Sequence, residues 1–421
     1  MAPLPTRRTV LQQLAGCASV AAGVWTPRLF AQQAGAGQQK KTTDDMMQNT
    51  AQTAEHFPPP DFGPAPGALP AEARAVAGPG SLRAHAAAVG RLFGCAVVVR
   101  QLERDPALRQ LVGDQAAILV PEGELKWVAL RPAADRFDFE QADTLFRFAA
   151  EHRRQVRGHT LVWHNSVPTW LQASPASTDV RALLVEHIRA VVGRYRGRVH
   201  SWDVVNEAIL PKDGAPGGLR RSFWYERVGP DYIELAFRTA HEADPKAILT
   251  YNDYGVEYDN PEETERRAAI LALLRDLRAK GVPVQAVGIQ SHIKAAAKFS
   301  IGDGLKEYMD AVAAMGLPMY LTELDVNEDD VASNDPAVRD AEVAATYTEF
   351  LDVALANPSV KAVLCWGLSD RRTWLNDGPT HHRKQPGRPQ RSLPFDPQYR
   401  PTAAFFAARA SFDAAPVARE I

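Results

Sequence analysis

Cysteine is scarce in this chain: 421 residues contain only Cys17, Cys95 and Cys365. Three scattered thiols make neither a disulfide framework nor a four-thiolate metal site. Excess charge of one sign is also missing, since 48 Lys plus Arg against 50 Asp plus Glu leave a net −2. No basic field therefore draws the chain to nucleic acid or an anionic membrane. Beyond the first 31 residues no run supplies the ~20 apolar residues of a membrane span. There is no G-x-G-x-x-G turn for a nucleotide and no H-E-x-x-H or comparable ligand cluster, so neither cofactor nor metal is expected. What remains, 45% hydrophobic and 23% charged, is the composition of a globular protein with a large core.

The N-terminus stands apart. Thr6-Arg7-Arg8-Thr9-Val10-Leu11 precedes a mostly apolar stretch to Val24, which resembles a twin-arginine-type signal peptide over residues 1–31 and implies export to the periplasm or medium. Its removal takes away Arg7, Arg8 and Arg28 and no acid, shifting the charge from −2 to −5. Leu14-Ala15-Gly16-Cys17 also resembles a lipoprotein processing box, and lipidation of Cys17 is the one route by which the mature chain would be held at a membrane. Residues 32–78, rich in Gln, Ala, Gly, Thr and Pro, read as a flexible linker. Residues 79–421 read as one folded domain.

Within that domain short β-branched runs alternate with amphipathic stretches eight times, at 92–99, 116–120, 156–162, 200–206, 247–253, 286–292, 318–326 and 362–370. Helical spacing recurs between them, as in Val180–Tyr195, and in Pro261–Lys280 with Pro at its start and Gly281 past its end. Eight units predict an α/β fold, a closed (β/α)₈ TIM barrel. Cys95 and Cys365 then fall on the first and last strands, neighbours on closure. A disulfide between paired parallel strands suits the geometry poorly, and packed thiols are expected.

Chemistry in such a barrel sits at the C-terminal ends of the strands, and those ends are strongly polar here. They read Gly158-His159-Thr160-Leu161-Val162-Trp163-His164, Trp202-Asp203-Val204-Val205-Asn206-Glu207, Tyr251-Asn252-Asp253-Tyr254, Gly288-Ile289-Gln290-Ser291-His292, Thr322-Glu323-Leu324-Asp325 and Trp366-Gly367-Leu368-Ser369-Asp370. Glu207 and Glu323, across one barrel mouth, are the paired carboxylates that glycosidic cleavage needs. Trp163, Trp170, Trp366 and Trp374 offer flat faces for sugar rings.

Six such motifs in order resemble glycoside hydrolase family 10, the endo-β-1,4-xylanases, over roughly residues 90–412. The resemblance implies a retaining endo-xylanase acting on xylan or xylo-oligosaccharides, without a cofactor, as a monomer. Carried onto this chain, Glu207 is the general acid/base and Glu323 the nucleophile, with the two carboxyl groups about 5 to 5.5 Å apart. Their mutual repulsion favours one proton on the pair. His292 orients Glu323 and Asp325 fixes the imidazole tautomer, while Asn206 binds the sugar 2-hydroxyl. Glu122, Lys126, His164, Trp170, Gln290, Trp366 and Trp374 contact substrate, and Tyr254 completes the nucleophile's surroundings. Asp203, His159 and Asp370 read as scaffold residues held by buried hydrogen bonds. The competing readings are a β-1,4-glucanase or cellobiosidase on the same fold and a non-catalytic polysaccharide-binding barrel.

Two positions depart from the family pattern: Gly123 stands where an Asn usually follows the Glu of the strand-two segment, and Ser166 where a Gln follows Trp-His-Ser. Both predict a weaker grip on the second glycone sugar. Finally, Arg371, Arg372, His381, His382, Arg383, Lys384, Arg388 and Arg391 crowd the segment after the eighth strand, either as a solvated run or as a contact for acidic glucuronic decorations.

Overall fold

Runs of β-branched and apolar residues four to nine long, alternating with amphipathic helices, leave the backbone one economical arrangement: parallel strands inside and helices outside. The computed structural model describes residues 60–377 and 387–419. Ten strands form: β1 Leu92–Val97, β2 Ile118–Pro121, β3 Gln155–Gly158, β4 Val162–Trp163, β5 Ser201–Asn206, β6 Ile248–Asp253, β7 Ala286–Ile289, β8 His292–Lys294, β9 Met319–Asn327 and β10 Val360–Cys365. The closed wall runs β10-β1-β2-β3-β5-β6-β7-β9 and back to β10, all parallel. It is the predicted (β/α)₈ barrel. The third and sixth expected strands are each split, because β3 and β7 end at the rim while β4 and β8 continue beyond it against β5 and β9.

Helix boundaries follow their caps. Asp179 accepts from Ala182 N at 2.9 Å to open Val180–Arg194. Asn260 accepts from Glu263 N at 2.9 Å to open Pro261–Ala279, which stops at Gly281 in the left-handed region, φ +65°.

Side-chain alternation divides the core. Ala96, Ile118, Val120, Ala286, Tyr320, Ala362 and Leu364 fill the barrel interior, whereas Phe93, Cys95, Val97 and Cys365 face the helix layer. Cys95 and Cys365 are register partners on β1 and β10 and are free thiols, as the strand geometry predicted. Burial pushes the Cys95 thiol up to about 12. Inside the barrel Arg157 is ion-paired to Asp203, bonds Ser201 Oγ at 3.0 Å and lies 5.3 Å from the Tyr320 ring centroid. Asp203 also meets His159 Nδ1 at 3.0 Å, and Asp370 accepts from Ser392 N and Leu393 N. These three residues are scaffold, as read from the sequence.

Two expectations are corrected. The signal peptide, Cys17 and most of the linker lie outside the described residues, but the linker's final stretch, from residue 60, is not loose. Leu69, Ala73 and Val76 are buried in the main core, Ala71–Ala75 is helical, and Arg371 donates to the carbonyls of Phe62, Gly63 and Pro64. Composition concealed this because three apolar residues suffice to anchor a Pro-rich strap. The basic segment is corrected likewise. Arg371 also donates to Pro397 O, Arg388 pairs with Glu328 at 3.1 Å, and Arg391 pairs with Asp340. These arginines pin loops by satisfying carbonyls and carboxylates, so they do not form a solvated run. His381, His382, Arg383 and Lys384 lie outside the described residues.

Leu69→Ala should therefore cost about 2 to 5 kcal/mol, as for other buried leucines. The check is the urea midpoint of unfolding; an unchanged midpoint would mean that the strap contributes nothing to the fold.

Candidate active site

Strands β5, β6, β7 and β9 deliver adjoining polar side chains to the C-terminal rim. Asn206 closes β5, and Glu207 follows in the left-handed region, φ +60°, its N–H donating to Asn252 O at 2.9 Å. Glu207 Oε1 accepts from Asn206 Nδ2 at 3.2 Å and from Gln290 Nε2 at 3.0 Å. Among the described residues none donates a hydrogen bond to its other oxygen, Oε2, which sits 3.6 Å from His164 Nδ1. Behind it, Arg220 Nε donates to Glu207 O at 2.8 Å and Arg220 Nη2 donates to Tyr254 Oη at 2.9 Å.

Glu323, on β9, has a different environment. Asn252 Nδ2 donates to Glu323 Oε1 at 2.9 Å, and His292 Nε2 lies 3.2 Å from Oε2. His292 Nδ1 in turn meets Asp325 Oδ1 at 2.9 Å, while Trp374 Nε1 donates to Asp325 Oδ2 at 2.6 Å. Burial pushes the Glu323 carboxyl up, but the His292 hydrogen bond and the charges of His159, His292 and Lys126 outweigh it and hold it below its ordinary value. Burial opposes charge on His292 as well, yet Asp325 and Glu323 raise it well above the usual imidazole range. Two carboxylates at one rim thus have unlike surroundings. One is held as an anion and the other has an oxygen left to meet substrate.

Lys126 and the aromatic side chains complete the rim. Lys126 Nζ lies 4.6 Å from the Trp163 ring and 5.9 Å from the Trp366 ring, and Trp374 lies 5.1 Å from His292. Burial lowers the Lys126 ammonium, against the opposing charges of Glu122, Glu323, Glu207 and Glu124. A flat aromatic wall beside hydrogen-bonding carboxylates and amides suits a sugar chain. Among the described residues no group of His, Cys, Asp and Glu is arranged to hold a metal ion.

The model of the family described as Glycosyl hydrolase family 10 matches residues 81–411. The chain belongs to this family. Among curated glycosyl hydrolases it is 36% identical over 293 residues to endo-1,4-beta-xylanase B of Thermotoga neapolitana, covering 69% of this chain and 79% of that protein. It is 35% identical over 312 residues to the endo-1,4-beta-xylanase of Geobacillus stearothermophilus, covering 68% and 86%. Among solved structures, xylanase 10B of Thermotoga petrophila RKU-1 in complex with xylobiose superposes with a TM-score of 0.71 at 33% identity, over 79% of this chain and 97% of that one.

Within this family 10 barrel the rim brings together Glu122, Lys126, His164, Asn206, Glu207, Gln290, His292, Glu323, Asp325, Trp366 and Trp374. Two predicted site residues stand elsewhere. Trp170 lies on the helix Thr169–Gln172 beyond β4, packed against the main core, with Nε1 donating to Arg131 O at 2.9 Å and the Arg131 guanidinium 5.4 Å over its ring. Tyr254 is buried behind Glu207, bonded to Arg220 and covered by Arg266 at 4.6 Å, so it supports Glu207 and not the nucleophile's surroundings. Sequence reasoning missed Asn252, whose single amide nitrogen donates to both Asn206 Oδ1 and Glu323 Oε1. Its signal was its place among the polar residues ending β6.

At pH 7 His292 should be an imidazolium, and Asp325→Asn should lower its titration toward the ordinary imidazole range. Imidazole NMR shifts against pH check this; a neutral His292 in the unaltered enzyme at pH 7 would contradict the charge arrangement.

Proposed function

We infer that this chain is an endo-β-1,4-xylanase that cleaves internal xylosidic bonds of xylan with retention of anomeric configuration. The observation that carries the reading is the pair Glu207 and Glu323 at one rim, bridged by amides and differing in partners. Glu323, ionised and aligned by His292, attacks the anomeric carbon. Glu207 protonates the leaving oxygen through Oε2, the glycosyl-enzyme ester forms, and the sugar's leaving group departs as an alcohol. Glu207, now the base, takes a proton from water as that water opens the ester, which regenerates Glu323 and releases the β-anomer. Asn206, held by Asn252 and Gln290, is placed for the 2-hydroxyl of the sugar beside Glu323. Lys126, His164, Trp366 and Trp374 line the glycone side.

Glu207→Ala should lower kcat on xylan by about 10²- to 10⁴-fold yet still accumulate a glycosyl-enzyme from a substrate whose leaving group needs no proton. Glu323→Ala should form none. Intact-protein mass spectrometry distinguishes the two, and proton NMR of early product should show the β-anomer; the α-anomer would refute the mechanism. Comparing aryl β-xylobioside with aryl β-cellobioside separates xylanase from glucanase, and a preference for the latter would overturn the substrate reading.

The glycone side carries a second expectation. Gly123 borders a cavity of about 500 Å³ lined by Val98, Arg100, Glu124, Val128 and Gln141 among others. A Cβ at Gly123 would meet nothing within 4 Å, and its φ is not positive, so an Asn side chain fits the backbone. Gly123→Asn should lower KM for xylobiosides by up to about tenfold, the worth of one added hydrogen bond. An unchanged KM in the folded variant would mean that another group already makes that contact.

We also propose twin-arginine export. Arg7-Arg8 and the apolar stretch to Val24 support it, although both lie outside the described residues. Replacing both arginines by lysine should trap the precursor in the cytoplasm of the producing cell, read by fractionation.

A further inference from the structure

Glu257, in the loop between β6 and the helix Pro261–Ala279, is buried to 2% exposure and none of the steps above uses it. Its carboxylate joins two loops. Oε2 accepts from Val256 N at 2.7 Å, and Oε1 accepts from Ser291 N at 3.0 Å.

Ser291 is the hinge between β7 and β8. It is buried and lies in the left-handed region, φ +68°, a conformation costly for a non-glycine residue unless its surroundings impose it. Its two neighbours face the two carboxylates: Gln290 Nε2 donates to Glu207 Oε1, and His292 Nε2 bonds Glu323 Oε2. One peptide turn therefore sets the position of a side chain on each carboxylate.

We propose that Glu257 is a positioning residue of the reaction, clamping the Ser291 turn so that Gln290 and His292 reach Glu207 and Glu323 together. The proposal rests on Glu323 being the nucleophile. Glu257 also acts through charge. The titratable and charged groups around it are Glu263 and Arg267 on the helix Pro261–Ala279, Tyr258 on its own loop, His292 on β8 and Tyr308 on the helix Asp303–Ala314. Burial raises the Glu257 carboxyl, against its main-chain hydrogen bonds and the charge of His292. Burial and the charge of Glu257 push Glu263 up to about 7. Arg267 donates to the carbonyls of Val256 and Tyr258 at 3.1 and 2.8 Å and keeps its charge there, while on the catalytic side His292 is a cation whose charge acts on Glu257.

Glu257→Gln keeps the shape, removes the charge, and leaves one of the two N–H groups facing an NH₂. The full-length variant should lose about tenfold or more in kcat on aryl β-xylobioside, with KM changed by less than about threefold. Loss of the negative charge lowers the proton affinity of His292, and a loosened Ser291 turn weakens the His292 hydrogen bond that holds the Glu323 carboxyl down, which raises the proton affinity of Glu323. The acid limb of kcat/KM, where Glu323 becomes protonated, should therefore move to higher pH by about half a unit or more. Glu257→Asp, charged but one methylene short, should lower kcat and move the limb the same way, because the reach to Ser291 N is lost although the charge is kept. Active sites are counted by trapping the glycosyl-enzyme with a 2-fluoro xyloside, so rates refer to folded enzyme only. A folded Glu257→Gln with unchanged kcat per site and an unmoved limb overturns the proposal. So does failure of both variants to fold, which would assign Glu257 to general stability. If the unaltered enzyme neither cleaves the xylobioside nor is trapped, the xylanase reading fails instead, whatever Glu257 does.

Discussion

Everything at the rim hangs on the side-chain amide of Asn252. It is fully buried at the end of β6, its oxygen accepting from Thr322 Oγ1 at 2.8 Å and its nitrogen donating to Asn206 and Glu323. Strands β5, β6 and β9 are thereby cross-linked through one planar group. A buried amide has no water to fall back on, so each bond left unmade would cost about 1 to 3 kcal/mol. The site is consequently fixed before any sugar arrives. Gly288 on β7 makes room for it, since a Cβ there would lie 2.0 Å from Asn252 Oδ1.

The second constraint is electrostatic. Two carboxylates side by side cannot both be ionised cheaply, and the barrel resolves this by unequal partners. Glu323 receives the amide of Asn252 and the charged edge of His292, whose other nitrogen is committed to Asp325. Trp374 fixes Asp325 in turn, so the loop that carries this rim indole also holds the far end of the charge chain. One side chain thereby ties the position of that loop to the alignment of Glu323 through Asp325 and His292.

Arginine performs much of the structural work outside the rim. Arg91 reaches the carbonyls of Val360 and Leu355 where β10 closes on β1, and Arg371 holds the N-terminal strap. The guanidinium fork is suited to this, because it satisfies several carbonyls at once and stays charged when buried. A cluster of arginines in sequence therefore resembled a binding surface, although Arg371, Arg388 and Arg391 are each consumed by loop contacts.

The sequence by itself determined the barrel, its eight units and the carboxylate pair, because strand periodicity, Pro261 and Gly281 bounding a helix, and polar residues clustered at strand ends are local properties that survive without coordinates. The resemblance of six ordered motifs added roles to Glu207, Glu323, His292 and Asp325. Tertiary structure alone decided which polar residues meet. Asn252 and Tyr254 are two residues apart on one segment, yet the first joins both carboxylate networks and the second is buried behind Glu207 with Arg220. Trp170 and Trp374 have the same side chain, and only the path of the backbone puts one against Arg131 and the other beside His292. Glu257 and Ser291 lie far apart in sequence, Glu257 in no motif and Ser291 only as the residue between Gln290 and His292. Their contact exists because barrel closure brings neighbouring loops to one rim, and no pattern along a chain records a distance between loops.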